Sequence, residues 1–140
     1  MKKGFSLIEI LVSITILAIM STVGIASYRN TARNQALIAD VDQIIQVLNI
    51  AKTNVNSGKK IACTSQSLKN WQVEFELSQY KLQEVCQNDS VNTINIYQLA
   101  SKNTINPIII KFYPLNRGAT NGTITLGSKI ITVTNSGNIQ

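Results

Sequence analysis

With no histidine, two cysteines and seven carboxylates in 140 residues, this chain has few ways to do chemistry. Histidine-based triads and imidazole proton transfer are excluded. Cys63 and Cys86 alone do not fill a tetrahedral zinc site, and no glycine-rich phosphate loop is present. Glu74, Glu76 and Glu84 are near enough in sequence to raise a paired-carboxylate site. Glu74 and Glu76, however, fall on the polar side of an alternating segment and read as solvated. Asn88-Asp89-Ser90 has the composition of a calcium-loop fragment. Three oxygen-bearing residues fall short of the six to eight ligands calcium takes, so a turn is expected there. No metal, no cofactor and no catalytic group follow from these residues.

The informative carboxylate is Glu9, four residues beyond Phe5 in a run that is otherwise apolar to Ala26. A helix of that run would be about 33 Å long, enough to span a bilayer core. Lys2 and Lys3 place its N-terminal side in the cytoplasm and export the rest. An acid at mid-membrane costs about 2.5–3.5 kcal/mol, and less near an interface. Three readings fit the run. It can be a secretory signal, with Gly24-Ile25-Ala26 offering small residues for a cut after Ala26. It can be a plain signal anchor. It can be a short leader cut after Gly4. Neither of the first two needs Glu9.

Lys3-Gly4-Phe5-Ser6-Leu7-Ile8-Glu9, with Tyr28 further on, resembles the start of the type IV pilin family. The resemblance implies a leader at residues 1–4, removed by prepilin peptidase between Gly4 and Phe5, and N-methylation of the new terminus at Phe5. It implies a transmembrane or filament-core helix at residues 5–27. It also gives Glu9 a role in assembly: the carboxylate meets the freed amine of a neighbouring subunit where the dielectric is low, and an unpaired partner is penalised. One departure stands out. Many major pilins have proline two residues before the tyrosine, and this chain has Ala26. A kink or melted stretch there then rests on Gly24 and Ser27 alone.

The positioning elements follow from periodicity. In residues 28–57 Leu37, Val41, Ile44, Leu48, Ala51 and Val55 draw one apolar stripe down a helix. Arg29, Arg33, Asp40, Asp42 and Lys52 fall mostly off it. The stripe is expected to pack on the chain's own head, with a coiled coil as the alternative. Asn54, Asn56, Ser57 and Gly58 stop the helix, and Gly58 suits its C-terminal cap. The head, residues 58–140, reads as strands: 71–77, 80–82 after a Ser78-Gln79 turn, 91–99, 108–113, 123–126, and 129–134 after a Gly127-Ser128 turn. A short last strand near Ile139 completes it. Trp71 reads as core. The fold class is α+β. A head of this size buries a limited core. In a chain with an export-type start, Cys63 and Cys86 read as one disulfide, closing a loop of about 20–25 residues and contributing roughly 3 kcal/mol. Two buried thiols are the alternative.

The head also resembles the GspH/FimT type of minor pilin and pseudopilin. The markers are Ala51-Lys52, Ile61-Ala62-Cys63, Trp71 with Val73-Glu74-Phe75, Ile110-Lys111-Phe112 with Pro114, Thr123 to Leu126, and Ile131 to Thr134 before Ser136-Gly137. This implies the type IV pilin fold, with the apolar half of the helix protruding from an antiparallel head. It implies a non-enzymatic subunit that assembles into, or primes, a type IV pilus or a type II secretion pseudopilus. Its partners would be other pilin subunits, prepilin peptidase and the inner-membrane assembly machinery. It would sit in the bacterial inner membrane before assembly, and in a surface pilus or periplasmic pseudopilus after it. DNA uptake is the alternative. Net charge is +6, but the cations are scattered. The basic C-terminal segment of DNA-binding FimT-like pilins is replaced by Gly137-Asn138-Ile139-Gln140. That leaves Lys111, Arg117 and Lys129 as the candidate nucleic-acid patch.

Overall fold

The apolar run and the amphipathic stripe lie on one helix, α1 (Leu7–Asn56). The computed structural model describes residues 6–115 and 117–140, and within α1 all side chains but those of 22–24, 26 and 27. The backbone is helical through residues 24–27, where no proline removes an N–H from the ladder. At the other end Gly58 adopts φ 63°. Its N–H donates to the Val55 carbonyl at 3.2 Å, and the Lys59 N–H to the Asn54 carbonyl at 2.9 Å. Glycine enters this left-handed conformation without a Cβ penalty, so α1 stops where the sequence period changes.

Two compact units are present, Met1–Gln35 and Ala36–Gln140. The second holds the C-terminal part of α1 and six strands: β1 (Leu68–Phe75), β2 (Gln79–Cys86), β3 (Val91–Gln98), β4 (Ile108–Phe112), β5 (Gly122–Leu126) and β6 (Lys129–Val133). The first four form an antiparallel sheet in the order β3-β2-β1-β4, and β5 and β6 form a separate hairpin. Leu37, Ile44, Leu48, Ala51 and Val55 of the stripe are buried, and Val41 partly so. They share a core with Trp71, Val73 and Phe75 of β1, Ile110 and Phe112 of β4, and the inward residues of the β5–β6 hairpin. The stripe is therefore covered by the chain's own head.

Three details differ from the periodic reading. The β1–β2 turn is centred one residue early, on Leu77 and Ser78, because Phe75 pairs with Tyr80 and the Glu76 N–H bonds the Gln79 carbonyl at 2.9 Å. Glu76 then leaves the strand and pairs with Lys81. That ammonium, with the Gln79 amide, holds the Glu76 carboxyl below its ordinary range. Second, β2 runs on to Cys86, beyond the expected stop at Leu82. Its apolar alternation fails there because Glu84 takes an inward position opposite Trp71. Glu84 is fully buried and accepts the N–H groups of Ile61 at 3.0 Å and Ala62 at 2.6 Å. Main-chain donors aimed at a carboxylate replace the water it gives up. Cys63 follows and is joined to Cys86, with Cα atoms 5.6 Å apart. The connection from α1 to β1 is thus fixed by one carboxylate and one covalent bond.

Third, Asp40 is buried on the head-facing side of α1, three residues after Leu37 and four before Ile44. Its oxygens accept the N–H groups of Ala100 at 2.9 Å and Ser101 at 2.8 Å. The β3–β4 connection is tied to the helix this way. Nearby, the buried Tyr80 hydroxyl has no hydrogen-bond partner among the described residues. Burial, then the Asp40 charge, push the Tyr80 phenol well above its ordinary pKa of 10.0. At the C-terminus, Thr132 and Gln140 exchange N–H···O bonds at 2.8 and 3.0 Å, laying the last residues along β6. Gly118, at φ 82°, is required in the turn after β4. A Cβ there would lie 1.9 Å from the Asn135 carbonyl oxygen.

Removing the Asp40 clamp leaves two N–H groups without their acceptor. Asp40→Ala is expected to cost roughly 2–4 kcal/mol in urea unfolding of the detergent-solubilised chain, and Asp40→Asn about half of that. A raised phenol pKa stabilises the fold below the unfolded value of 10.0, and that contribution is lost as pH rises through the folded value. The same unfolding measured at about pH 8 and about pH 11 should show a steeper alkaline loss in the parent than in Tyr80→Phe.

Candidate assembly site on the N-terminal helix

In the first unit the described side chains of residues 6–21 are exposed. Leu7, Ile8, Leu11, Ile14, Leu17 and Met20 are each more than half exposed, and so are their apolar neighbours at 10, 12, 16 and 19. A helix apolar on all sides suits a lipid or protein surrounding, not water. Glu9 lies in its first turn. There the Glu9 N–H bonds the Ser6 carbonyl at 3.0 Å. The helix N-terminus carries partial positive charge, and a carboxylate is favoured in that turn.

Three hydroxyls of this stretch are satisfied within the helix. Ser13 Oγ donates to the Glu9 carbonyl at 2.7 Å, Thr15 Oγ1 to the Val12 carbonyl at 2.8 Å, and Ser21 Oγ to the Leu17 carbonyl at 2.7 Å. Returning each hydroxyl proton to the preceding turn lets serine and threonine enter an apolar medium at small cost. The Glu9 carboxylate has no such internal solution. Among the described residues no cation pairs with it. The sequence pattern marked Glu9 but not this division of the polar groups. It appears once the hydroxyls are seen bonding carbonyls three or four residues back. Gly4 and Phe5, the expected cut and the expected methylated terminus, lie outside the described residues. Among the described residues no helix is long and apolar enough to cross a membrane.

The remaining candidates are not brought together. Lys111 lies within β4. Arg117 is in the turn past its end, beside the Gly118 carbonyl that accepts the Tyr113 N–H. Lys129 opposes Leu126, which bridges to Ile105 before β4 begins. Arg117 and Lys129 therefore stand at opposite ends of β4, not around one loop. Asp89, at φ 64°, shapes the β2–β3 turn and pairs with Lys69. Asn88 Oδ1 accepts the Ser90 N–H at 3.1 Å in the same turn. No group of three or more His, Cys, Asp or Glu that could hold a metal occurs among the described residues. A cavity of about 140 Å³ between Lys52, Val55, Phe112 and Gly137 is well below the ~300–1,000 Å³ usual for ligand pockets. It brings one titratable group, Lys52, and no acid–base pair.

The chain was compared with known families and structures. The family model described as the prokaryotic N-terminal methylation motif matches residues 1–25. Comparison with curated proteins and with solved structures finds no match. The matched segment is typical of type IV pilins and pseudopilins. It implies processing by prepilin peptidase and assembly with other pilins, and it fits anchorage in the inner membrane before assembly. It points to a structural protein and not to an enzyme family. A methylation motif typical of type IV pilins and pseudopilins thus stands at the head of a chain whose long helix and antiparallel sheet are arranged like the type IV pilin fold.

Proposed function

We propose that the chain is a minor pilin or pseudopilin of the GspH/FimT type, which assembles into, or primes, a type IV pilus or a type II secretion pseudopilus. The observation that carries this reading is the uncovered apolar helix with one charged group in its first turn. In water that surface is costly, at roughly 25 cal/mol per Å² of apolar area. Before assembly the lipid bilayer supplies the surrounding, with the head outside the cytoplasm. After assembly the helices of neighbouring subunits supply it. Cleavage after Gly4 frees the Phe5 amine, and methylation retains its positive charge. Glu9 of one subunit then pairs with the terminal amine of the next. Pairing in a low-dielectric core is strong, and a mismatched subunit leaves a buried charge uncompensated. The pair therefore acts on register as well as on affinity. DNA uptake has less support, since Arg117 and Lys129 do not share a loop.

Two outcomes are expected. Mass spectrometry of the mature chain should find a methylated N-terminal Phe5. An N-terminus at Ser27 would instead establish the secretory-signal reading. Glu9→Ala and Glu9→Gln should leave membrane insertion and leader removal unchanged. Both should reduce the filaments or pseudopili formed by at least about tenfold, the effect of ~1.4 kcal/mol in an assembly equilibrium. Unaltered filament numbers would count against the ion pair.

A further inference from the structure

The two edges of the four-stranded sheet are treated differently. Beyond β4, the edge is closed by the chain itself. Tyr113 N–H bonds the Gly118 carbonyl at 3.0 Å, Thr120 N–H bonds the Lys111 carbonyl at 2.8 Å, and Ala119 bridges Phe112. At the other edge, β3 has no neighbouring strand among the described residues.

The free main-chain groups of β3 follow from the bonds it makes. Leu99 N–H donates to the Ser78 carbonyl at 3.2 Å, in the register that sets Gln98 opposite Gln79. Antiparallel ladders alternate, so Tyr97 and Asn95 turn their main-chain groups toward β2, while Ile96 and Gln98 turn theirs away. Cys86 N–H donates to the Ser90 carbonyl at 3.0 Å, in the register that sets Val91 opposite Val85. By the same alternation Asn92 faces β2, and Val91 and Thr93 face away. Between the two halves the register slips. Asn95 opposes Leu82 and Thr93 opposes Gln83, which leaves Ile94 as the extra residue of a bulge, packed against the core. The outward groups therefore belong to Val91, Thr93, Ile96 and Gln98.

That spacing decides what can pair with the edge. A regular strand repeats every two residues. It would match Val91 and Thr93 and then fall out of step at Ile96, so a bulge ordinarily protects an edge. A strand with the same interruption stays in step on both sides. The order of gaps reads the same in both directions, so an antiparallel second copy of β3 is such a strand. We propose that β3 is a docking edge for a second copy of this chain, with Val91 opposite the second copy's Gln98 and Thr93 opposite its Ile96.

Charge permits the approach. The chain is strongly cationic and repels itself, but β3 has no charged residue. The neighbouring Lys81 and Lys69 are neutralised by Glu76 and Asp89. Val91 and Ile96, both more than half exposed, are covered in the pair. In this register Asn92 of one copy meets Tyr97 of the other on the helix-facing side, so the two-fold axis is normal to the joined sheet. Such a rotation reverses the part of α1 that lies along the sheet.

Sedimentation velocity of the full chain in detergent, over a range of protein concentrations, tests this. The parent should pass from one chain to two per particle as concentration rises. Ile96→Pro removes an N–H that the register turns away from β2, a change an edge strand accepts. It should stay at one chain with its disulfide and circular dichroism unchanged. A double variant Thr93→Lys, Ile96→Lys and a second double variant Thr93→Glu, Ile96→Glu should each remain single alone and pair when mixed, because position 96 of one meets position 93 of the other. The mixture keeps the test intact if the proline variant does not fold. A parent that stays single at every concentration, pairing that survives in Ile96→Pro, or a mixture that does not pair would overturn the proposal.

Discussion

A carboxylate held on an otherwise apolar helix sets the terms for the rest of this structure. Among the described residues no cation pairs with Glu9, whereas Ser13, Thr15 and Ser21 return their protons to carbonyls of the preceding turns. Its negative charge is favoured beside the positive end of the helix and costly elsewhere in an apolar segment. The apolar surface around it adds the second half of the constraint. Leu7 to Met20 offers no face suited to water, a surface that fits a bilayer or neighbouring helices. The head has to fold without help from that segment.

The head meets this requirement with polar anchors placed where apolar packing gives out. The stripe from Leu37 to Val55 buries one side of α1. Long connections, however, join α1 to β1 and β3 to β4, and their backbone donors need acceptors. Glu84 serves the first and Asp40 the second, each accepting main-chain N–H groups at two successive residues. The Cys63–Cys86 bond closes the same region that Glu84 organises. Both carboxylates are therefore engaged by main-chain donors of the fold, even though a buried acid in another setting would attract attention as an acid–base group. The sheet's edges follow a similar logic. One is closed by residues 118–120, and the other is left open but interrupted at Ile94.

Much of this was legible in the sequence because it rests on short-range rules. The apolar run, the heptad-like stripe, the glycine stop at Gly58, the Gly127-Ser128 hairpin and the α+β class each follow from a residue's own preferences or from its period along one element. Gly4-Phe5 and Glu9 were legible as a motif, and the family match covers that same segment. The β1–β2 turn was misplaced by one residue because Leu77 continues the alternation into the turn. Only the pairing of Phe75 with Tyr80 shows where the strand ends.

What the tertiary structure alone decided concerns groups far apart in sequence. No periodicity in α1 announces that Asp40 will meet the N–H groups of Ala100 and Ser101 some sixty residues later. Nor does the pattern of β2 show that Glu84 faces inward to residues 61 and 62. The separation of Arg117 from Lys129 depends on the pairing of residues 105, 112, 119 and 126. The free groups of β3 depend on a bulge that arises only against β2. The sequence by itself determined the helix and its charge, because hydrophobic period and single-residue chemistry are local. Which polar groups were to be buried, paired or left on an edge was decided in three dimensions, because a hydrogen bond's partner is set by chain topology and not by the residue that offers it.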